Sequence, residues 1–401
     1  LKEPLNTTFE WNSFFNVIKQ FRYQTQATQS RGSHAIVEVI LDLISNVAEN
    51  FPASRPLFIQ SSQWDILDSL FGFADQPKIS TELMGKVFTT VASFVYDQSV
   101  AFNVWNRLEH HQVLVTQRQS IISGGIRHQF TKVETSDKYY PETIGFLKLL
   151  AKLIHYVIPA DLGIETRADV PPGVAPHLDF VLKVVFNHFD AREYNVEAQK
   201  WEITSICLSI FHDILHNYTI QAVDFQNQSV NVQTEGSTQG GPRMRTIMRD
   251  SHPGFQLMLS LLNLEDQSFT KNLLKIVCKH STIKSLEENR YASQQQQSFY
   301  GSQKPHSIAR HQSQGSSLLE KSILYSLKIL TIMLERQDEF RGQGAGQARL
   351  QQAKLRPPED LIKGDHIVRI AEFIAYSHLA DIRLYAVKLL ALVSQINRHV
   401  V

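Results

Sequence analysis

Apolar residues recur every three to four positions over most of this chain, which is the period of an α-helix. One such segment runs from 33 to 50 and ends before Pro52, because proline stops helices. Another begins at Pro141, which suits the first turn of a helix. The apolar stripe of the first segment consists of Ile36, Ile40, Leu43, Ile44 and Val47. The same period predicts further helices at about 9 to 25, 63 to 74, 79 to 97, 176 to 189, 193 to 218, 252 to 278, 317 to 340, 360 to 377 and 380 to 397.

Strand patterns are few, so the predicted fold class is all-α. The two β-like runs, Ile121-Ile122 and 230 to 232, lie in polar segments, and we interpret them as loops with room for a local hairpin. The length of 401 residues favours a stacked array over a compact bundle, because a single core stops growing beyond ~250 to 300 residues. We predict an irregular α-solenoid of HEAT- or ARM-like antiparallel helix pairs, continuous over 1 to 401.

Four polar segments interrupt the helical pattern, at 116 to 140, 226 to 250, 291 to 317 and 341 to 353. Each contains too few apolar residues to offset the entropy that the chain loses on ordering. We interpret them as polar loops or insertions and expect the third and fourth to be mobile.

Two helices carry residues that predict close packing between repeats. One pattern, similar to the second helix of a HEAT repeat with Asp381 as N-cap, consists of Asp381, Arg383, Ala386, Leu389, Leu390 and Val393. The small Ala386 would let this helix approach its predecessor, and Leu389 and Leu390 would fill the contact. Trp201 lies in a helix with too many apolar residues for one stripe, so we expect it to be buried and to anchor adjacent repeats.

Composition and charge narrow the function classes. The chain has 40 basic and 39 acidic residues, a net charge of +1, which gives no global attraction to nucleic acid or anionic membrane. The two cysteines, Cys207 and Cys278, exclude a disulfide framework and indicate a reducing compartment. No uncharged apolar run reaches the ~18 residues that span a bilayer. The chain starts at Leu1 without a methionine, so we expect a segment of a longer protein.

The sharpest candidate for chemistry is His212-Asp213-Ile214-Leu215-His216, whose two imidazoles have the i, i+4 spacing of zinc-binding HExxH helices. Asp reaches a metal-bound water poorly, and no third ligand follows at a familiar spacing, so we interpret the pair as a polar helix margin. His110 and His111 are interpreted as groups that cap a helix C-terminus, and the glycines from 342 to 346 as a linker. The sequence therefore predicts no catalytic, metal or cofactor-binding residue, no cofactor and no enzyme.

Aromatic residues make up 10% of the chain, and many recur at helical spacing, as Phe88, Phe94, Phe102 and Trp105 do. Such a stripe is typical of a core. In a solenoid, however, the grooves between helix pairs stay partly open, and an aromatic groove favours docking of a partner's helix or peptide. Binding is therefore the first function class to consider.

A series of short motifs occurs in a familiar order across nearly the whole chain. The motifs are Trp11-Asn12-Ser13-Phe14-Phe15, Ser62-Gln63-Trp64, Tyr140-Pro141-x-Thr143-x-x-Phe146, Leu162-Gly163, Pro172-Gly173, Pro176-His177-Leu178-x-Phe180, Lys200-Trp201-Glu202 and Pro253-Gly254-Phe255. In this order and spacing they resemble the largest adaptor nucleoporins of the inner ring of the nuclear pore complex. The likeness continues through the helices around 318 to 334 and 367 to 393.

The resemblance implies an all-helical, question-mark-shaped solenoid related to karyopherins, located in the nuclear pore complex of the nuclear envelope. It implies a structural scaffold that supports nucleocytoplasmic transport of protein and mRNA. The implied partners are other nucleoporins, both short linker segments held in solenoid grooves and neighbouring scaffold subunits. No direct nucleic acid contact, transmembrane segment or small-molecule substrate is expected, and the family offers no catalytic residue to carry over.

The alternative function is a soluble transport receptor of the karyopherin type, which shares the stacking of helix pairs. Such receptors tend to be strongly acidic because they hold basic cargo signals, whereas this chain has a net charge of +1. An enzyme is a distant third hypothesis and would require the third metal ligand that the His212 motif lacks.

Overall fold

The computed structural model describes residues 11–23, 31–61, 63–76, 79–115, 125–167, 170–226, 228–234, 243–249, 251–279, 307–344 and 354–398. The chain forms two compact units, Leu1–His177 and Leu178–Val401. The sequence analysis treated 1 to 401 as one continuous segment, and that continuity stays a prediction.

The first unit is helical wherever the structure describes regular secondary structure. Its α-helices are α1 (Trp11–Tyr23), α2 (Arg31–Asn50), α3 (Ser54–Gln60), α4 (Ile66–Phe71), α5 (Thr81–Phe94), α6 (Gln98–His110), α7 (Gly125–His128), α8 (Thr135–Asp137) and α9 (Pro141–Tyr156). A π-helical turn, Gln129–Glu134, joins α7 to α8. The short α10 (Ala175–Asp179) lies where the first unit ends and the second begins.

The second unit continues with long helices and one β-hairpin. Its helices are α11 (Glu197–Asn217), α12 (Pro253–Leu262), α13 (Ser268–Val277), α14 (Ser307–Gly344), α15 (Asp365–Glu372) and α16 (Ala380–Arg398). The hairpin pairs β1 (Gln228–Thr234) with β2 (Arg243–Arg249) in antiparallel register. The predicted all-α fold class is confirmed, and this hairpin is the only sheet among the described residues.

In the first unit, α5 packs against α2 on one side and against α9 on the other. A pair of glycines sets the second contact, because a side chain on Gly85 would collide with the Pro141 carbonyl and one on Gly145 would collide with the Gly85 backbone. Phe88 and Phe146 meet edge to face beside the glycines, with ring centroids 5.5 Å apart. The two helix backbones therefore approach more closely than ordinary side chains would permit.

In the second unit, α14 contacts both α11 and α16, and the order of the contacting residues along each helix shows that α14 runs parallel to both. Near the start of α14, Gly315 lies opposite Ala198 at the start of α11. Towards the other end of the same two helices, Arg336 donates to the carbonyl of Leu215 over 2.6 Å. On the other side Lys328 stacks on the ring of Tyr385, 5.3 Å from its centroid. Parallel neighbours require intervening segments that return the chain, and α12, α13 and α15 lie in those segments. This is the arrangement expected of equivalent helices in successive repeats.

The predicted polar loop at 116 to 140 is wrong over residues 125–137, which are helical. Ile126, Phe130 and Glu134 are all buried there at intervals of four residues. The π-helical turn lengthens the spacing between buried residues to four, and the other residues of this segment are mostly polar. The sequence of this segment therefore lacks the 3.6-residue apolar period that predicts an α-helix. Residues 116–124 lie outside the described part of the chain.

The other three polar segments also differ in part from the prediction. Within 226 to 250 the structure forms the β1–β2 hairpin, which the sequence analysis allowed for. Within 291 to 317, α14 begins at Ser307, where the small Gly315 and Ser316 allow the helix to pack on α11. Residues 341–344 end the same helix, and the rest of the segments at 291 to 317 and 341 to 353, with their expected mobility, lies outside the described residues.

Candidate partner-binding groove

Helix α6 has a buried face and an exposed face. Asp97 caps its N-terminus, where Oδ1 accepts the backbone N–H of Val100 over 2.8 Å. The buried face consists of Val100, Ala101, Val104, Trp105 and Leu108. Phe102 belongs to the aromatic stripe that is typical of a core, and Phe88, Phe94 and Trp105 of this stripe are buried. Phe102 instead points outward and is 50% exposed.

The exposed face of α6 forms one wall of an open groove of about 680 Å³ in the first unit. Helices α1 and α4 contribute Arg22 and Asp68. The lining residues are Arg22, Asp68, Ser99, Phe102, Asn103, Asn106, Arg107, His110 and His111. One exposed aromatic ring thus lies among amide, imidazole and guanidinium groups.

The charged side chains of the groove bind to each other and to the backbone. Asp68 forms an ion pair with Arg107, and its backbone carbonyl accepts a hydrogen bond from Arg22 Nη1 over 2.9 Å. Arg107 Nε also donates to Asn103 Oδ1 over 2.8 Å. Gly72 leaves room for Arg22, since a side chain at this position would overlap its guanidinium. The groove therefore has fixed polar walls rather than a strong net charge.

The histidines at the end of α6 serve the local structure as well as the groove. His111 follows the last helical residue, His110, and stacks on Phe71 with ring centroids 5.6 Å apart. Its Nδ1 lies 2.9 Å from Asp75 Oδ2. The predicted position of this pair at a helix C-terminus is confirmed.

A buried ion pair fixes the interior side of α6, opposite the groove. Glu109, which lies between groove residues on α6, accepts hydrogen bonds from Arg167 Nε and Nη2 over 2.9 and 2.7 Å. Burial alone would raise the pKa of Glu109, but the hydrogen bonds and charge of Arg167 lower it. Arg167 also donates to the Gly173 carbonyl over 2.8 Å, in a loop where Gly163 and Gly173 have positive φ angles. The last turn of α6 is therefore held in place by the loop that follows α9.

His177, on α10 directly after that loop, is buried and packs edge-on against Trp105, with ring centroids 5.1 Å apart. Burial and the nearby Arg167 lower the pKa of His177 to about 3, so the imidazole is neutral. Trp105 Nε1 donates to the Val157 carbonyl over 3.1 Å. Residues that carry the family resemblance, Leu162-Gly163, Pro172-Gly173 and His177, thus belong to the support of the groove.

The groove offers hydrogen-bonding side chains on its exposed wall. A side-chain amide both donates and accepts, which matches the N–H and C=O groups of a peptide backbone. Asn103 and Asn106 lie one helical turn apart on the exposed face, beside the ring of Phe102. The groove thus places amide donors and acceptors next to one exposed aromatic ring.

The four residues predicted as structural anchors lie in the second unit. Trp201 is buried and contacts Phe189 at 6.4 Å between ring centroids, while Ala386 and Leu389 are fully buried on α16. Leu390 is only partly buried. Helix α16 begins at Ala380, so the predicted N-cap Asp381 lies in its first turn. That these residues hold repeats together stays a prediction.

His212 and His216 stack on each other along α11, with ring centroids 5.5 Å apart. His212 Nδ1 lies 3.1 Å from Asp213 Oδ1. Nowhere in the described ranges do three His, Cys, Asp or Glu side chains come together as a metal site. Cys207 is buried and Cys278 half-buried, with Cys278 Sγ 3.4 Å from His366 Nδ1.

The second unit has the parallel, equivalent helices of a helical repeat protein, and the first unit, by itself, is helical and carries an open polar groove. The chain belongs to the nuclear pore complex scaffold family of nucleoporins 186/192/205, whose model matches residues 16–399. Its localisation is accordingly the nuclear pore complex. The resemblance seen in the sequence motifs is confirmed.

Three curated relatives are similar over much of the chain. The nuclear pore complex protein Nup205 of Homo sapiens is 32% identical over 228 residues, which is 56% of this chain and 10% of the relative. Nup205 of Drosophila melanogaster is 25% identical over 96% of this chain and 17% of the relative. NUP205 of Arabidopsis thaliana is 22% identical over 95% of this chain and 18% of the relative. The chain thus spans less than a fifth of the length of these relatives. None of the helices within the described ranges has the length and apolarity needed to cross a membrane.

Proposed function

We propose that this chain is a scaffold segment of the inner ring of the nuclear pore complex that holds linker segments of other nucleoporins in the α6 groove. Through these contacts it would support nucleocytoplasmic transport as a structural component and not as an enzyme. The observation that carries the proposal is the exposed row of Phe102, Asn103 and Asn106 on a helix that a buried ion pair fixes in place.

Peptide recognition by a preformed groove requires that the wall does not rearrange on binding. The Glu109–Arg167 pair and the Asp68–Arg107 pair both hold α6, from its buried and exposed sides respectively. Two arginines and one aspartate line the groove, so its net charge is small, which favours a partner of low net charge. The proposal includes no nucleic acid contact, because the net charge of +1 gives no phosphate-binding field.

The test uses the full-length protein in nuclear envelopes, with a photo-crosslinking amino acid in place of Asn106. The matched control carries the same group at Lys132, which is exposed on the π-helical turn. We expect an adduct with a second nucleoporin from position 106, and its loss when Phe102 is also changed to Ser. Equal adducts from both positions, or no adduct from position 106, would contradict the proposal.

A further inference from the structure

Helix α2 is apolar on two faces, and only one of them contacts the core. The buried face consists of Val37, Ile40, Leu41, Ile44 and Ala48. The second face carries Ile36, Val39 and Leu43, which are 58%, 68% and 38% exposed. Their i, i+3, i+7 spacing places the three side chains along one line of the helix surface.

The predicted single stripe of α2 was therefore wrong for Ile36 and Leu43, which do not share the buried face of Ile40 and Ile44. A row of three exposed aliphatic side chains on one helix costs solubility and has no role in the core of this unit. Three adjacent exposed aliphatic side chains form a contiguous apolar patch, and such patches mark candidate interaction surfaces.

The side of α2 that faces α5 is acidic. Glu38 and Asp42 lie one turn apart on α2, and Glu82 of α5 lies close enough to influence Glu38. Burial, followed by the charge of Glu82, raises the pKa of Glu38. The basic residues nearby are Lys86, whose Nζ is 2.5 Å from Asp42 Oδ1, and His34, which packs on Phe21.

This flank therefore carries three carboxylates against one lysine and one histidine. Lys86 is engaged with Asp42, so the mutual repulsion of Glu38 and Glu82 is only partly offset. An additional cation placed beside the stripe would lower the electrostatic energy of these groups. The carboxylates of this flank therefore favour a partner that carries positive charge beside its apolar contact with the stripe.

We propose that the stripe of Ile36, Val39 and Leu43 docks an amphipathic helix that has apolar side chains at matching i, i+3, i+7 positions and Lys or Arg on the side facing Glu38 and Glu82. The 20-residue α2 is about 30 Å long, which is enough to receive several turns of a partner helix. Interdigitation of two helix surfaces requires rows of this spacing, whereas an extended peptide alternates its side chains every ~3.3 Å. No residue of the stripe lines the α6 groove, so this interaction goes beyond the proposed function.

A second copy of the chain is the competing occupant. Helix α16 exposes Leu384 and Val387, each 49% exposed, and carries Arg383 and Lys388 on the same side of the helix. Its exposed row is thus flanked by basic residues. Self-association between α2 of one molecule and α16 of another is therefore an outcome that the experiment must separate.

The experiment measures fluorescence anisotropy of two labelled Ala-based peptides of about 20 residues, mixed with the 401-residue chain. Both peptides carry Leu at i, i+3 and i+7; one has Lys beside the Leu row and the other has Glu. We expect the Lys peptide to bind at least about tenfold more tightly at low salt, with a smaller difference at high salt. The double variant V39N/L43N should lose at least about tenfold in affinity for the Lys peptide.

Two further variants separate the contribution of the carboxylates from that of the apolar stripe. E38Q/E82Q should bring the two peptides to within about threefold of each other, because it removes the charge selection and leaves the stripe. L384N/V387N is the matched control on an equally exposed row and should bind the Lys peptide like the unmodified chain. Circular dichroism melting curves of V39N/L43N and L384N/V387N should stay close to that of the unmodified chain, because these side chains are exposed, and E38Q/E82Q should melt no lower, because it removes a repulsion.

The proposal is overturned if the Lys and Glu peptides bind equally, or if V39N/L43N binds like the unmodified chain. Sedimentation velocity without peptide decides the competing case. If the chain self-associates and both V39N/L43N and L384N/V387N abolish that association, the occupant is a second copy and the proposal is wrong.

Discussion

Arg167 and Glu109 form a bidentate ion pair in the interior of the first unit, with both side chains almost fully inaccessible to water. Removing one partner leaves the other as an unpaired buried charge, which typically costs about 3 to 5 kcal/mol. We therefore expect Arg167→Met to lower the free energy of unfolding by about that amount, measured by urea denaturation. The last turn of α6, with Arg107 and His110, should then lose protection from hydrogen exchange.

The double variant R167M/E109Q is the control, because it removes both charges. It should recover a large part of the loss, since no unpaired charge remains. If the single and double variants are equally unstable, the loss comes from packing and not from the ion pair.

Glu142 predicts a pH dependence of stability. Burial, followed by the charge of Glu134, raises the pKa of Glu142 from its usual 4.5 to about 8. Between these two values the folded state holds a proton that the unfolded state has released. The associated stability is fully present below about pH 4.5 and is lost as the pH rises through about 8.

We expect Glu142→Gln to flatten this dependence and to raise the free energy of unfolding at pH 8 by a few kcal/mol, since each pKa unit corresponds to about 1.4 kcal/mol. Denaturant titrations at pH 5, 6.5 and 8 give the measurement. Glu49→Gln, an exposed change on α2, should leave the profile as it is. A parallel pH profile for Glu142→Gln and the unmodified chain would refute the assignment.

Trp201→Ala should destabilise the second unit by about 3 to 5 kcal/mol, because it removes a large buried side chain and leaves a cavity beside Phe189. Limited proteolysis should show new cleavage near α11, and the melting temperature should fall. Trp201→Phe keeps most of the volume and should lose less. A Trp201→Ala variant that melts like the unmodified chain and yet fails to bind a nucleoporin would make Trp201 a recognition residue.

Ala386→Leu tests the close packing of α16. A larger side chain at this fully buried position should cost about 1 to 3 kcal/mol through overpacking. Ala391→Leu makes the same change at an exposed position of the same helix and should be nearly neutral. Thermal melting of both variants measures the difference, and equal melting temperatures would show that Ala386 does not set the helix spacing.

The stacked imidazoles of His212 and His216 should not hold zinc in the purified protein. Elemental analysis should find no stoichiometric zinc. H212Q/H216Q should leave the melting temperature nearly unchanged, because His216 is exposed and His212 is only half-buried. One zinc per chain that is lost in this variant would revive the hypothesis of an enzyme.

The sequence predicts most long helices because their buried faces repeat locally. Pro141 is indeed the first residue of α9, and α11 and α16 lie within a few residues of their predicted bounds. The predicted helix at 252 to 278 is instead two helices, because Asn263 Oδ1 accepts the N–H of Glu265 and turns the chain. A side-chain hydrogen bond of this kind can end a helix even where the apolar period of the sequence continues.

The groove was less predictable. Arg167 and Glu109 are 58 residues apart, and neither has a local pattern that indicates a buried ion pair. Phe102 occurs in an apolar stripe and gives no sign that it faces outward. The signal that existed was the aromatic content of the helices together with the expectation of open grooves in a solenoid.

Helix α14 has 38 residues and is therefore about 57 Å long, with parallel neighbours on both sides. A force directed along its axis loads both contacts in shear, so side chains over many turns must give way together. A force that peels α16 sideways breaks the contacts one turn at a time. The second unit should therefore resist tension along α14 more strongly than tension across it, a mechanical anisotropy that single-molecule pulling from different attachment points would measure.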